Sequence, residues 1–283
     1  MSMQATKPMA SGPAAPSDAP APGAVFADWQ RRQRRQRLTV GLGQLLLLLV
    51  LLGLWELSAR LQWANPLLTS RPTTVAKTLA QILGNGDLFK HTWVTLQETL
   101  ISFVAGMIMA LVIAVAIWWS EFLSRLLDPY LVVLNALPKI ALGPIFYVWL
   151  GDRVSIYGMA IAIALVTGVI MLHAGFMQVD PEKIKLLHTL GASKWQVLWK
   201  VVMPASTPTI VATGKVALSL TLVGVIVGEF LSSKAGLGYM IIYGSQIFRM
   251  DLVMTSVVVL AILSALLYLV MQYLERLVLR RQR

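Results

Sequence analysis

Six apolar stretches, 38–55, 95–119, 129–150, 156–177, 208–231 and 252–274, dominate this chain of 283 residues. Each runs for about 18–25 residues, the length an α-helix needs to cross the hydrocarbon core of a bilayer. Within that core every backbone N–H and C=O must find its partner inside the protein, which restricts the fold to closed barrels or helices. Runs this long and this continuous are helical, so the sequence predicts an all-α integral membrane bundle of about six transmembrane helices. Composition agrees: 57% of residues are hydrophobic and 13% charged, against about a quarter charged in soluble domains.

Net charge is +11, but the cations sit in short clusters beside the apolar runs. That pattern orients helices in a membrane, and no water-soluble domain remains to carry a nucleic-acid reader. Arg31, Arg32, Arg34, Arg35 and Arg37 precede the first run. With six crossings they share a compartment with Arg125, Lys183, Lys185, Lys194, Lys200, Arg276, Arg280, Arg281 and Arg283. The richer side is cytoplasmic, which places both termini there. With no cysteine, disulfides, thiolate chemistry and cysteine metal sites are excluded.

Residues 1–30 are rich in Ala, Pro, Ser and Gly, and read as a disordered cytoplasmic tail. Residues 31–58 form a basic flank and first transmembrane helix. The run at 38–55 is longer than a signal-peptide core and lacks a small-residue cleavage site, so it stays as an anchor. Residues 59–91 lie on the outer side, where Val75, Leu79, Ile82 and Leu83 give 67–91 an amphipathic helix. Residues 92–283 then hold the other five crossings. A second outer segment, 232–250, combines a Gly-rich turn with a short apolar helix that packs on the outer mouth.

The loop at 180–204 has more local structure than a connection needs. Asp180 can cap a helix, Pro181 suits its first position, and Glu182 complements the positive end of the dipole. Gly191 ends that helix, Ser193 with Gln196 makes a capping box for a second, and Pro204 closes or interrupts it. A charged, twice-capped unit facing the cytoplasm is a docking element.

Polar groups inside the apolar runs are the other signal, because an ionisable side chain at membrane depth is costly unless it faces a cavity or a partner. Glu229, with Thr221 and Ser219 on the same run, reads either as a pathway or gate residue or as a structural pairing. Asn135 and Lys139 lie where Pro138 and Pro144 break the third run, and a broken helix at depth lines a cavity or is covered by protein. Gly224 and Gly228 form a GxxxG pair for close helix packing, within one subunit or at a dimer seam. The tryptophans near span ends are interfacial anchors. No catalytic constellation is present: Gly214 and Lys215 lack the rest of a phosphate-binding loop, and His91, His173 and His188 are scattered. The chain is expected to be no enzyme and to bind no metal or cofactor itself.

Three blocks together carry a resemblance: KLLHTLGASKWQVLWKVVMP from Lys185, LPKIALGPIFYVWLG from Leu137, and GVIVGEFLSSKAGLGYMI from Gly224. From the first span to the C-terminus the chain resembles permease subunits of bacterial ATP-binding-cassette importers of the sulfonate, taurine and nitrate type. Gly191, Ala192, Ser193 and Pro204 match the family's cytoplasmic EAA loop, but Lys185, Leu186 and Leu187 replace its Glu-Ala-Ala. The resemblance implies a type I importer bundle in the bacterial inner membrane, with two permease copies, a homodimer, forming the solute pathway. It also implies two separate ATPase subunits holding ATP and Mg, each receiving the loop helix in a groove, and an extracytoplasmic solute-binding protein. Leu186, Leu187 and Leu190 would be the buried anchor in that groove, with Lys183, Lys185 and Lys194 at its rim. The solute would be a small organic anion or a related small molecule. An ion-coupled secondary transporter and a non-transporting membrane scaffold are the alternatives.

Overall fold

The computed structural model of the protein describes residues 22–61, 63 and 70–280, without the side chains of 22–30 and 37. The predicted tail over 1–21, the first residues of the outer segment at 67–69, and Arg281 and Arg283 lie outside the described residues. The chain forms two units, Met1–Leu57 and Ser58–Arg283. The first unit is carried by α1, Pro22–Arg60. Helix therefore begins ahead of the arginine cluster, inside the segment predicted as tail. Side chains from Leu45 to Leu51 are exposed all round, as a helix solvated by lipid requires.

In the second unit α2 (Pro72–Gly84) precedes α3 (Asp87–Trp119) and α4 (Glu121–Ala136). A 3-10 turn at Lys139–Leu142 leads into α5 (Gly143–Met177). The loop contains α6 (Pro181–Thr189), α7 (Lys194–Val197), a π-helical turn at Leu198–Val202 and α8 (Met203–Ala205). Then come α9 (Thr207–Ser232), α10 (Leu237–Gln246) and α11 (Met250–Arg280). Five helical stretches among the described residues have the length and apolarity to cross a membrane: Arg31–Arg60, Asp87–Trp119, Lys139–Met177, Thr207–Ser232 and Met250–Arg280.

The predicted span at 129–150 is not one helix. Pro138 has no N–H to give and holds Leu137 in an extended conformation (φ −62°, ψ 136°), so α4 stops at Ala136. Pro144, expected to break the run, instead sits in the first turn of α5, where proline is tolerated. The sharper break is at Gly151, with φ 74° and ψ −179°, where the chain reverses. Thr167 Oγ1 donates to Asn135 Oδ1 at 3.3 Å, and Ser124 Oγ lies 3.4 Å from His173 Nε2. A Cβ on Gly143 would lie 3.5 Å from Met159 Cε, and one on Gly158 would lie 3.1 Å from Phe146. The partner numbers fall as the chain climbs, so 124–150 runs antiparallel to 152–173. At 1.5 Å per residue, α4 and 143–150 rise about 24 and 12 Å, together the length of one crossing.

The core is layered from one end to the other. At the loop end Ala110, Ala114 and Ile117 of α3 meet Val169, Leu172 and Phe176 of α5 and Val197, Leu198 and Val202 of the loop. In the middle α9 packs on α5 through Val225, Ile156 and Ala160. At the far end Leu88, Leu237, Met240, Leu252, Val259 and Leu263 join α3, α10 and α11. There α2 lies on the bundle, one of the two placements, interface or bundle, that its amphipathic pattern allows: Val75 is buried and Leu79 and Ile82 pack on this cluster, while Leu83 is exposed. Thr78 Oγ1 donates to Asp251 Oδ2 at 2.8 Å and fixes α2 to the start of α11.

Candidate functional site

The loop element has the local structure its sequence dictates. Asp180 Oδ1 accepts from the Glu182 N–H at 2.9 Å, and Pro181 opens α6. Gly191 takes the left-handed conformation at φ 80°, and Ala192 N–H donates to Leu187 O at 2.9 Å, satisfying a carbonyl of the last turn. Ser193 Oγ accepts from Gln196 N–H at 3.3 Å, while Gln196 Oε1 accepts from Ser193 N–H at 2.9 Å. The capping box is closed. Pro204 stands within α8, beyond the π-helical turn, so the second helix changes its winding before the proline.

The three leucines expected to act as one anchor divide between two faces. Leu187 turns inward with Ile184 and Ala192 onto the core that holds Ile117 and Phe176. Leu186 and Leu190 point outward, 61% and 73% exposed. Lys183 and Lys185 are exposed beside them. Lys194 is not a free rim charge: Nζ donates to Trp119 O, an end carbonyl of α3, and lies 5.5 Å from the Trp119 ring centroid. Trp119, Trp195 and Trp199 touch edge to face in sequence.

Of the groups predicted inside the spans, Glu229 is the most constrained. It is 1% exposed. Thr95 Oγ1 donates to its Oε1 at 2.6 Å, and the Gly238 N–H donates to Oε2 at 2.5 Å. The Tyr239 N–H also donates to this carboxyl group. Thr95 Oγ1 in turn accepts from the Leu237 N–H at 2.8 Å, and His91 Nδ1 accepts from the Gly236 N–H at 3.0 Å. The carboxyl thus lies at the start of α10, where N–H groups converge. Gly236 has φ 116° and a Cβ there would collide with the Glu229 carboxyl. Amides, a hydroxyl and the neighbouring Glu98 carboxyl surround it, and among the described residues no cation pairs with it. Thr221 is fully buried and donates to Ala217 O at 2.7 Å within its own helix. Ser219 is exposed and donates to Lys215 O at 3.2 Å.

Gly224 and Gly228 pack inside the chain. A Cβ on Gly224 would lie 2.5 Å from Ala160 Cα, and one on Gly228 would lie 2.8 Å from Ile156 Cα. The pair is the seam between α9 and α5, the within-subunit packing that was one of its two readings. Asn135 and Pro138 are exposed at the break, and Lys139 Nζ donates back to Asn135 O at 3.4 Å.

A cavity of about 470 Å³ opens at the far end, lined by Glu98 of α3, Asp152, Arg153 and Tyr157 of α5, and Ser232 to Ala235. Neither Glu229 nor Lys139 lines it. The sequence reading passed over Glu98, although the rule that singled out Glu229, an acid inside an apolar run, applies to it equally. Lys215, weighed in the sequence only as part of an incomplete phosphate-binding loop, has its Nζ 2.5 Å from Glu275 Oε2 and ties α9 to α11.

Residues 99–283 match the family described as the inner membrane component of binding-protein-dependent transport systems. The chain belongs to that family. This permease is 28% identical over 254 residues to the taurine transport system permease protein of Escherichia coli K12, covering 88% of this chain and 91% of that one. It is 27% identical over 233 residues to an aliphatic sulfonates transport permease protein of Bacillus subtilis 168, covering 82% and 84%. Its fold is similar to that of the inward-facing MetNI methionine ABC transporter, with a TM-score of 0.59 at 19% identity over 66% of this chain and 94% of that one. The permease is a multi-pass membrane subunit of a binding-protein-dependent ABC importer and works with ATPase and binding-protein partners. It is a transport subunit and not an enzyme, since ATP hydrolysis occurs on separate ATPase subunits.

Proposed function

We propose that two copies of this permease form the pathway for a small organic anion, with the break at 137–142 facing it. One observation carries the reading: the chain interrupts a membrane-depth helix at an exposed position and sets Lys139 there. Interrupted backbone at that depth needs water or protein over it, and a lysine beside it favours an anion. Relatives that act on taurine and aliphatic sulfonates support the same solute class. The richer cationic side supports a cytoplasmic position for the loop end and both termini in a bacterial inner membrane. There Leu186 and Leu190 enter a groove on each of two ATPase subunits, which hold ATP and Mg, while the binding protein delivers solute at the far end. The permease itself binds no cofactor.

The test is uptake into proteoliposomes carrying the permease, its ATPase and its binding protein. Uptake of an organic sulfonate requires ATP, and Lys139→Ala lowers it at least several-fold while the ATPase still co-purifies. Uptake driven by an ion gradient without the ATPase would overturn the reading.

A further inference from the structure

Two carboxyl groups meet where α3, α9 and α10 join. Glu98 and Glu229 are 9% and 1% exposed and are hydrogen-bonded to each other. Ionised carboxylates only accept, so a bond between two carboxyls needs a proton on one of them. Their neighbours decide which. Thr95 Oγ1 donates to Glu229 Oε1, and the Gly238 and Tyr239 N–H groups donate to the same carboxyl, a shell of donors that suits an ionised acceptor. Glu98 has no such shell: no hydroxyl or N–H among the described residues donates to its buried Oε2. An ionised Glu98 would set two negative charges side by side inside the protein, which is costly.

The other charged and titratable groups around the pair leave that balance in place. Arg153 of α5 attracts an ionised Glu98 but is exposed, where water and salt screen it. Asp152 and Lys234, on the cavity wall, face each other with 4.0 Å between Oδ2 and Nζ. Tyr157 brings a phenol to that wall. His91 of α3 stacks on Tyr239 of α10 and accepts the Gly236 N–H on Nδ1, the role of an uncharged ring.

We propose that Glu98 and Glu229 form a proton-binding site, in which Glu98 holds the proton and donates it in a hydrogen bond to the Glu229 carboxylate, and that losing this proton loosens the junction of α3, α9 and α10. The cavity that Glu98 lines is the exit to solvent. Only the proton moves: Glu98 becomes a carboxylate, and Glu229 keeps its charge. Repulsion then acts on the group that holds the first N–H groups of α10. In the unfolded chain both carboxyls ionise in the ordinary carboxylate range, so the fold binds one proton more. Its contribution to stability is complete below that range and is lost at the higher pH where the pair releases the proton. The far end thus responds to the acidity of the medium it faces, whichever solute is carried.

Thermal melting of the full-length permease in nanodiscs, beside Glu98→Gln, tests the site. The Gln amide donates to Glu229 at every pH and so copies the protonated acid. From about pH 6, where free carboxyls are ionised, to about pH 9, the wild type should lose several degrees more than Glu98→Gln. At the upper pH the amides of 236–239 should exchange with deuterium several-fold faster in the wild type than in the variant. At the lower pH the infrared spectrum of the wild type should show a protonated-carboxyl band that Glu98→Gln lacks. Parallel melting profiles, equal exchange at the upper pH, or a band shared by both proteins overturns the proposal. If Glu98→Gln does not assemble, the wild type's infrared band decides alone. A band present at the lower pH and gone at the upper one supports the site, whereas its absence at the lower pH or its persistence at the upper one overturns it.

Discussion

Glu229 shows how a charge inside an apolar helix can be an internal fastener. Its oxygens take a hydroxyl from α3 and amides from the start of α10, so one side chain of α9 joins three helices. Gln in its place keeps the size but exchanges an acceptor for a donor facing those amides. Glu229→Gln should lower stability by roughly 1–3 kcal/mol, read as a drop in the melting temperature of the purified permease. Gly236→Ala should be at least as damaging, since it adds a Cβ against the same carboxyl at φ 116°. A melting temperature unchanged in both variants would show that the fastener is dispensable.

The loop element separates what neighbouring residues can announce from what only the folded bundle decides. Its caps were legible because a capping box and a left-handed glycine involve residues three to five positions apart. The division of its leucines was not, because α6 is only nine residues long and its inward side is set by packing with Ile117, far away in the chain, as well as with nearby Phe176. The same limit hid the reversal at Gly151, whose cue is a single glycine beside Asp152. Glu98 was legible in kind as an acid among apolar residues, but the cavity it lines is made by α5 and 232–235. The division of faces predicts two phenotypes. Leu186→Asp with Leu190→Asp should abolish ATPase co-purification and leave the permease's melting temperature within a degree or two. Leu187→Asp should cost the permease itself about 2 kcal/mol or more by opening its own core. Normal co-purification of the double variant would remove the outward pair from the ATPase contact.

At the scale of the whole molecule the seam of Gly224 and Gly228 is used within the chain, so the second copy proposed above should be met elsewhere. The exposed break, with Leu137 and Ile140 turned outward, faces the pathway proposed between the two copies, which brings its rim within reach of the partner. The chain has no cysteine, which makes the test clean. Leu137→Cys or Ile140→Cys in native membranes should give a band of doubled mass under oxidation, removed by reductant. Its absence with both variants would take the break out of the contact between copies.

Three attachments lie along α9. Ser206 Oγ, at its entrance, donates to Gly175 O at 3.3 Å; Lys215 pairs with Glu275 at 2.5 Å; and Glu229 holds α10 near its exit. Between them the glycine seam leaves almost no slack against α5. A rod of 26 residues is about 39 Å long, and one pinned near both ends and braced in the middle cannot absorb a push by bending. A displacement delivered at the loop, if it is the ATPase contact proposed above, should therefore reach the far end of α9 nearly undiminished, with α9 as a pushrod whose stroke is set by the loop.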